Sequence, residues 1–283
     1  DHTDIYKINH YLAKKWSLEN TIDSDGDGVP DGNDTFPLDP NAWDEPTDSN
    51  FVATVNAELA EDEALDSALN DDLKLWLDAT NFNNNNNIDF GGEEIDNEAI
   101  STWVDLSGEG NHAFPLTIDN RPTYDKGNIK SVNFNGSNNY LKIDYDDTLK
   151  ISTEPNKNFY IFTVYERETE GSDDAPTIIG SGRNDHGSGN TDWRIWIDNQ
   201  NNEIYWGTGS SGDKNAWWET QEPETSTRNL IMGSLSSNSK SKQFFVNGGD
   251  VSGTITYSSK GDVTSDQQIY VGRHMGSINT TFK

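Results

Sequence analysis

Asp23, Asp25, Asp27, Asp31 and Asp34 fall at positions 1, 3, 5, 9 and 12 of the stretch Asp23-Ser-Asp-Gly-Asp-Gly-Val-Pro-Asp-Gly-Asn-Asp34. At position 7 Val29 offers a backbone carbonyl, and Gly28 at position 6 permits a sharp turn. A loop wrapped around a hard divalent cation brings alternate positions to one point. The spacing therefore predicts calcium held by Asp23, Asp25, Asp27, Val29, Asp31 and Asp34. Five carboxylates this close, without a cation, repel one another. For a second ion the candidates are Asp39 and Asp44, or Asn83, Asn85, Asn87 and Asp89 in the run Asn83-Asn-Asn-Asn-Asn-Ile-Asp89. Alternating amides there supply neutral oxygens, although Asn-rich runs are equally ordinary turn material.

A different chemistry is available around Trp193. Asp185, Asp192, Trp196, Trp206, Trp217 and Trp218 combine rings that cover the apolar face of a sugar with carboxylates that bond its hydroxyls, so they are candidates for glycan binding. Trp193 itself alternates with Ile195 and Ile197 and is expected in the core. The nearest approach to a glycosidase carboxylate pair is Glu166 and Glu168, interleaved with Arg167 and Thr169 at a strand end, where a solvated terminus is the plainer reading. His2, His10, His112, His186 and His274 lack metal-ligand spacing. No Gly-x-Ser-x-Gly elbow, phosphate loop or His-Glu-x-x-His stretch occurs, and no enzyme is expected.

The chain has 283 residues, with 49 acidic against 20 basic side chains and a formal net charge of −29. Such a balance repels nucleic acid and anionic membrane surfaces and favours cations. Without cysteine there are no disulfides and no thiolate metal sites. Hydrophobic residues are only 31 %, but 9 Trp, 10 Tyr and 11 Phe supply core bulk, so a folded chain is expected. No apolar run is long enough for a membrane span.

These side chains need elements to hold them. Ile5, Ile8, Leu12 and Trp16 lie at helical spacing and predict a helix over 3–18, with Lys14 and Lys15 at its negative end. Residues 44–50 form a polar linker, and 51–70 are weakly amphipathic. From Leu73 the pattern changes to short alternating or aromatic runs. Strands are predicted at 73–78, 131–134, 140–145, 159–165, 193–197, 203–206, 230–235, 243–246, 254–257 and 268–271, with hairpin turns at Asn135-Gly136 and Asn247-Gly248. Residues 159–165, apolar on both faces, are expected as a central strand. Many strands without alternating helices indicate an antiparallel two-sheet sandwich, hence an all-β fold with an N-terminal helix and a calcium-loop linker.

The loop and the following Phe36-Pro37 resemble thrombospondin type-3 repeats, calcium-stiffened linkers of bacterial surface proteins, over residues 23–44. Leu73-Lys-Leu-Trp-Leu-Asp-Ala79, Trp103-Val-Asp-Leu-Ser-Gly-Glu-Gly-Asn-His-Ala113, Arg121-Pro-Thr123, Val132-Asn-Phe-Asn-Gly-Ser-Asn-Asn-Tyr-Leu141, Tyr160-Ile-Phe-Thr-Val-Tyr165 and Gln268-Ile-Tyr-Val-Gly-Arg273 together resemble laminin-G-like, concanavalin A-like jelly-roll domains. That resemblance implies residues 1–20 as a helix, 21–50 as the calcium linker and 51–283 as the sandwich. In the family, one more strand and a helix with text like Tyr-Leu-Ala-Lys-Lys-Trp follow Val-Gly-Arg; here that text is Tyr11–Trp16. The helix thus resembles the tail of a preceding copy, which would make the chain one repeat of a tandem surface protein or one subunit of a head-to-tail filament. The sandwich would then have an open edge and an apolar patch for a neighbouring copy. A permuted closure by the chain's own helix, or a boundary that leaves off the rest of the domain, are the alternatives. The expected role is a calcium-stabilised, extracellular, bacterial-surface structural or adhesive module, or alternatively a calcium-dependent lectin.

Overall fold

The computed structural model describes residues 2–40, 72–88, 95–128, 130–135, 138–144, 146–149, 158–167, 177–182, 190–198, 203–210, 217–221, 227–236, 242–251 and 268–272. Among the described residues one α-helix, α1 (His2–Trp16), precedes thirteen strands: β1 (Ala113–Phe114), β2 (Thr123–Asp125), β3 (Ser131–Asn133), β4 (Leu141–Ile143), β5 (Asn158–Glu166), β6 (Thr177–Gly182), β7 (Asn190–Asp198), β8 (Glu203–Ser210), β9 (Trp217–Gln221), β10 (Arg228–Ser236), β11 (Lys242–Val246), β12 (Gly249–Asp250) and β13 (Ile269–Val271). The strands pair antiparallel in a seven-stranded sheet ordered β1-β4-β13-β6-β7-β8-β9, a four-stranded sheet ordered β12-β11-β10-β5 and the separate pair β2-β3. The all-β sandwich expected from the strand pattern is the observed architecture.

Period-two alternation builds the core. Ile143, Trp193, Ile195, Ile197, Ile204 and Ile269 from the larger sheet meet Ile161, Ile231 and Phe244 from the smaller. Trp206 sits at the centre and is fully buried. Its ring stacks on Phe159 with centroids 6.3 Å apart, and its indole N–H donates to the Ser234 carbonyl at 3.3 Å. A Cβ at Gly233 would come within 2.6 Å of that ring, so the position accepts only glycine without rearrangement. Trp206 is therefore a core residue, not a sugar platform: its strand pairs Ile204 and Trp206 on the same inward face. Trp196, on the opposite face, is also buried, against Tyr205 at 4.6 Å and with the Arg194 guanidinium 4.1 Å from its ring.

Other expectations change at the edges. Residues 159–165 belong to β5, an outer strand among the described residues; both its faces are apolar because Ile161 and Tyr165 join the core while Val164 packs beneath α1. Residues 73–78 form no strand and make one isolated bridge, Leu77 to Asp105. Asn135 does not begin a hairpin: β3 pairs with β2 and β4 with β1 and β13. The Asn135 amide instead accepts the Asn138 and Asn139 N–H groups, carrying the chain between sheets. Asn247-Gly248 does turn β11 into β12, with φ of 51° and 83°, the left-handed pair that a tight hairpin needs. Sequence patterning missed the short strands β1, β2 and β12, β6, diluted by Gly180 and Gly182, and β9. Predicted strand 254–257 lies outside the described residues.

The helix occupies the outer face of the four-stranded sheet of its own chain. Ala13, Leu18 and Ile22 close around Leu230, with Leu12, Trp16 and Val164 at the rim. The apolar face for which a neighbouring copy was expected is thus covered in cis, because β5 and β10 supply the complementary Val164 and Leu230. The buried side of α1 is Ile5, Asn9, His10 and Ala13, a stripe rotated from the predicted one. Lys15 anchors its end by donating to the Asp78 carboxylate at 2.5 Å and to the Tyr11 hydroxyl at 3.2 Å. Burial pulls the Lys15 pKa down, but Asp78 and Tyr11 outweigh it and hold the ammonium above its ordinary value. Asp78 is itself buried, so Lys15→Met leaves an uncompensated carboxylate; urea unfolding should show a loss of about 2–4 kcal/mol.

Candidate metal centre

The loop leaves α1 through Ser17–Thr21 and is pinned at Ile22, which is fully buried under the helix. Across its neck Asp31 N–H donates to the Ile22 carbonyl and Gly32 N–H to the Glu19 carbonyl, both at 2.7 Å. Between these ties the backbone coils around its own carboxylates. Asp23 accepts Gly26 N–H on one oxygen and Gly28 N–H on the other. Asp25 Oδ1 accepts Asp27 N–H, Asp27 Oδ1 accepts Val29 N–H, and Asp34 Oδ1 accepts Phe36 N–H. Gly26 and Gly28 adopt φ of 82° and 98°, which lets every second side chain turn inward.

What remains is a set of acceptors without donors. Oδ2 of Asp25, of Asp27 and of Asp34 are buried and have no hydrogen-bond partner. One ligand oxygen each from Asp23, Asp25 and Asp27 lies within 4.8 Å of the others. Asp25 is only 3 % exposed. Desolvation first, then the charges of Asp27, Asp34 and Asp23, push its carboxyl up to about 7. Asp34 is raised for the same reasons, burial and then the charges of Asp27, Asp31 and Asp23. Buried anionic oxygens facing one another are costly unless a cation joins them, and an all-oxygen donor set suits a hard one.

Asp31, expected as a ligand, is placed otherwise. Its Oδ1 accepts Ser24 N–H at 2.7 Å, and its Oδ2 accepts the Ser24 hydroxyl at 2.6 Å and the His10 Nδ1–H at 2.9 Å. Ser24 and His10 both donate to the carboxylate and not to each other, so the trio is a clasp between loop and helix, not a nucleophile with its base. Neither residue was singled out in the sequence, since a serine inside the loop and a histidine on the helix share no spacing. The β11–β12 turn also abuts the loop: a Cβ on Gly248 would collide with the Asp23 carbonyl oxygen.

The Asn-rich loop is built as turn material. Asn83 Oδ1 accepts the N–H groups of Asn85 and Asn87, Asn87 Oδ1 accepts Phe82 N–H, and Asn87 is fully buried. Asn85 donates its amide to the Ile88 carbonyl. The amide oxygens of Asn83 and Asn87 thus serve the local backbone, with Asn84, Asn86 and Asn87 at positive φ. Asp39 is exposed, while Asp44, Asp89 and Asp185 lie outside the described residues. Asp192 falls in β7; Trp217 and Trp218 lie in β9, in register with Gly207 and Trp206. Glu166 is 3.5 Å from the Arg228 guanidinium on the adjacent strand, a surface ion pair.

No protein-family model matches the chain, and no curated protein matches it significantly. Among solved structures, Trypanosoma rangeli sialidase in complex with sialic acid is similar at TM-score 0.46 and 14 % identity, over 65 % of this chain and 28 % of that one. The Ruminococcus gnavus IT-sialidase CBM40 bound to alpha2,3 sialyllactose is similar at TM-score 0.37 and 13 % identity, over 50 % of this chain and 79 % of that one. The chain thus spans little more than a quarter of the sialidase chains.

Proposed function

We propose that the chain is a calcium-stabilised structural module of an extracellular surface protein, in which residues 23–34 hold one calcium ion. Asp23, Asp25, Asp27 and Asp34 supply the carboxylates and the Val29 carbonyl completes the set; bound calcium neutralises the cluster and fixes the loop. The observation that carries this reading is the trio of buried, unpartnered Oδ2 atoms on Asp25, Asp27 and Asp34. An extracellular location agrees with a calcium site, since calcium is millimolar there, and with the net charge of −29. An adhesive role follows if the module spaces neighbouring domains of a repetitive protein.

Binding to the native state alone raises stability by RT ln(1 + [Ca]/Kd), about 2.7 kcal/mol at a hundredfold excess over Kd. Calcium at millimolar concentration should therefore raise the melting temperature by several degrees and magnesium by much less, while Asp25→Asn abolishes the shift. An unchanged melting curve with calcium, and no heat in calorimetric titration, would overturn the proposal.

A second reading, glycan binding, rests on the outer face of the seven-stranded sheet, where half-buried Arg194 and Tyr205 flank Trp196. Its test is a glycan array with the calcium-loaded protein. A reproducible hit lost in Tyr205→Ala with an unchanged melting temperature would support it, and an array without hits would dismiss it.

A further inference from the structure

Resting on the calcium reading above, we infer that the ion closes a latch: its occupancy decides how firmly α1 is held over the four-stranded sheet, and His10 transmits it. The loop touches three parts of the molecule. Asp31 receives His10 from the buried side of α1 and Ser24 from the loop itself, so one carboxylate links the helix to the ligand-bearing turn. Ile22, one residue before the first ligand, lies in the same apolar cluster as Ala13, Leu18 and Leu230. Gly248, in the turn between β11 and β12, rests on the Asp23 backbone.

The ligand carboxylates alternate with the residues that make these contacts: Ser24 stands between Asp23 and Asp25, and Asp31 between Asp27 and Asp34. Drawing Asp23, Asp25, Asp27 and Asp34 to a common ion therefore sets the positions of Ser24 and Asp31. Those two in turn set the acceptor that His10 reaches. Without the ion, mutual repulsion among the carboxylates opens the loop and the clasp loses its geometry. The helix then retains its apolar stripe and the Lys15–Asp78 pair at its C-terminal end. Coupling of this kind is reciprocal: whatever factor calcium adds to helix docking, docking adds to calcium affinity.

The test joins calorimetric calcium titration to hydrogen exchange on the full 283-residue chain, in calcium and in EGTA, for the wild type, His10→Ala and His10→Asn. In the wild type, calcium should slow exchange of the α1 amides and of β10 by at least about tenfold, the scale of a coupling near 1.4 kcal/mol. His10→Ala should still bind calcium, but several-fold more weakly, with protection of α1 reduced by the same factor. His10→Asn, whose amide N–H lies near the position of the imidazole Nδ1, should recover both. Calcium heat with α1 exchange unaltered in the wild type would overturn the latch and leave the calcium site standing, as would His10→Ala binding at wild-type affinity. Absence of calcium heat would overturn the calcium reading and the latch with it. Should His10→Ala fail to fold, the wild type in calcium and in EGTA, together with His10→Asn, still separates these outcomes.

Discussion

Trp206→Ala should lower the stability of the sandwich by about 3–5 kcal/mol in urea unfolding, the scale for an aromatic removed from a closed core. Trp206 is fully buried between the two sheets, stacked on Phe159, and its ring takes the space where Gly233 has no side chain. Phe159 also meets Trp193 at 5.3 Å, so the hole would open among aromatics too rigid to collapse into it. Trp206→Phe should recover part of the loss, while Gly233→Ala should cost about 1–3 kcal/mol by overfilling the same space. A Trp206→Ala melting temperature within a degree of wild type would contradict the packing. If a glycan signal disappeared in Trp206→Ala, it would report a weakened fold, so the residue is unsuitable for mapping a sugar site.

Asp105→Asn should be nearly as damaging, by about 2–5 kcal/mol, although the shape of the side chain is kept. Asp105 is buried and accepts four hydrogen bonds: Trp76 N–H and Ser107 N–H on Oδ1, the Ser107 hydroxyl and Asn111 N–H on Oδ2. It thereby folds Asp105-Leu-Ser-Gly-Glu-Gly-Asn-His112 onto the segment at 73–77. Asn111 extends the link by donating to the Lys74 carbonyl and the Thr148 hydroxyl. An amide puts an N–H pair where two donors already point, and each buried donor left without an acceptor costs about 1–3 kcal/mol. Hydrogen exchange should quicken at Trp76 and Asn111 before it does in β7 and β8. Uniform acceleration across the sandwich would instead mean that the loop has no separate role.

The roles of Trp206 and Asp105 were not legible in the sequence, whereas other features were. That Asp23, Asp25 and Asp27 come together could be read because their spacing is local, and a coiled loop brings alternate side chains to one side. Asp31 departs from the pattern because its partner, His10, belongs to another element, and spacing carries no information about such contacts. The strand pattern announced the sandwich, since alternation of Trp193, Ile195 and Ile197 is a property of the strand itself. It did not reveal that Trp206 lies under Gly233, a contact between sheets. Nor did it show that β5 is apolar on both faces because a helix covers it. Residues 73–78 look like a strand in composition, yet the Trp76 N–H donates to the Asp105 carboxylate, and the pairing with 105–106 stops at a single bridge. In the Asn-rich run the amide oxygens were visible, but their engagement by the Asn85, Asn87 and Phe82 N–H groups was not.

The seating of α1 also bears on the order in which the molecule assembles. The helix and the loop are made roughly two hundred residues before Leu230 and Gly248, on which they rest. Contacts so distant along the chain are entropically expensive to form and are made late. While the chain is still incomplete, the Asp-rich loop therefore lacks its seat. Helix docking completes the fold only after β10 and the β11–β12 turn exist, so the seating of α1 and its loop belongs to the last stage of folding.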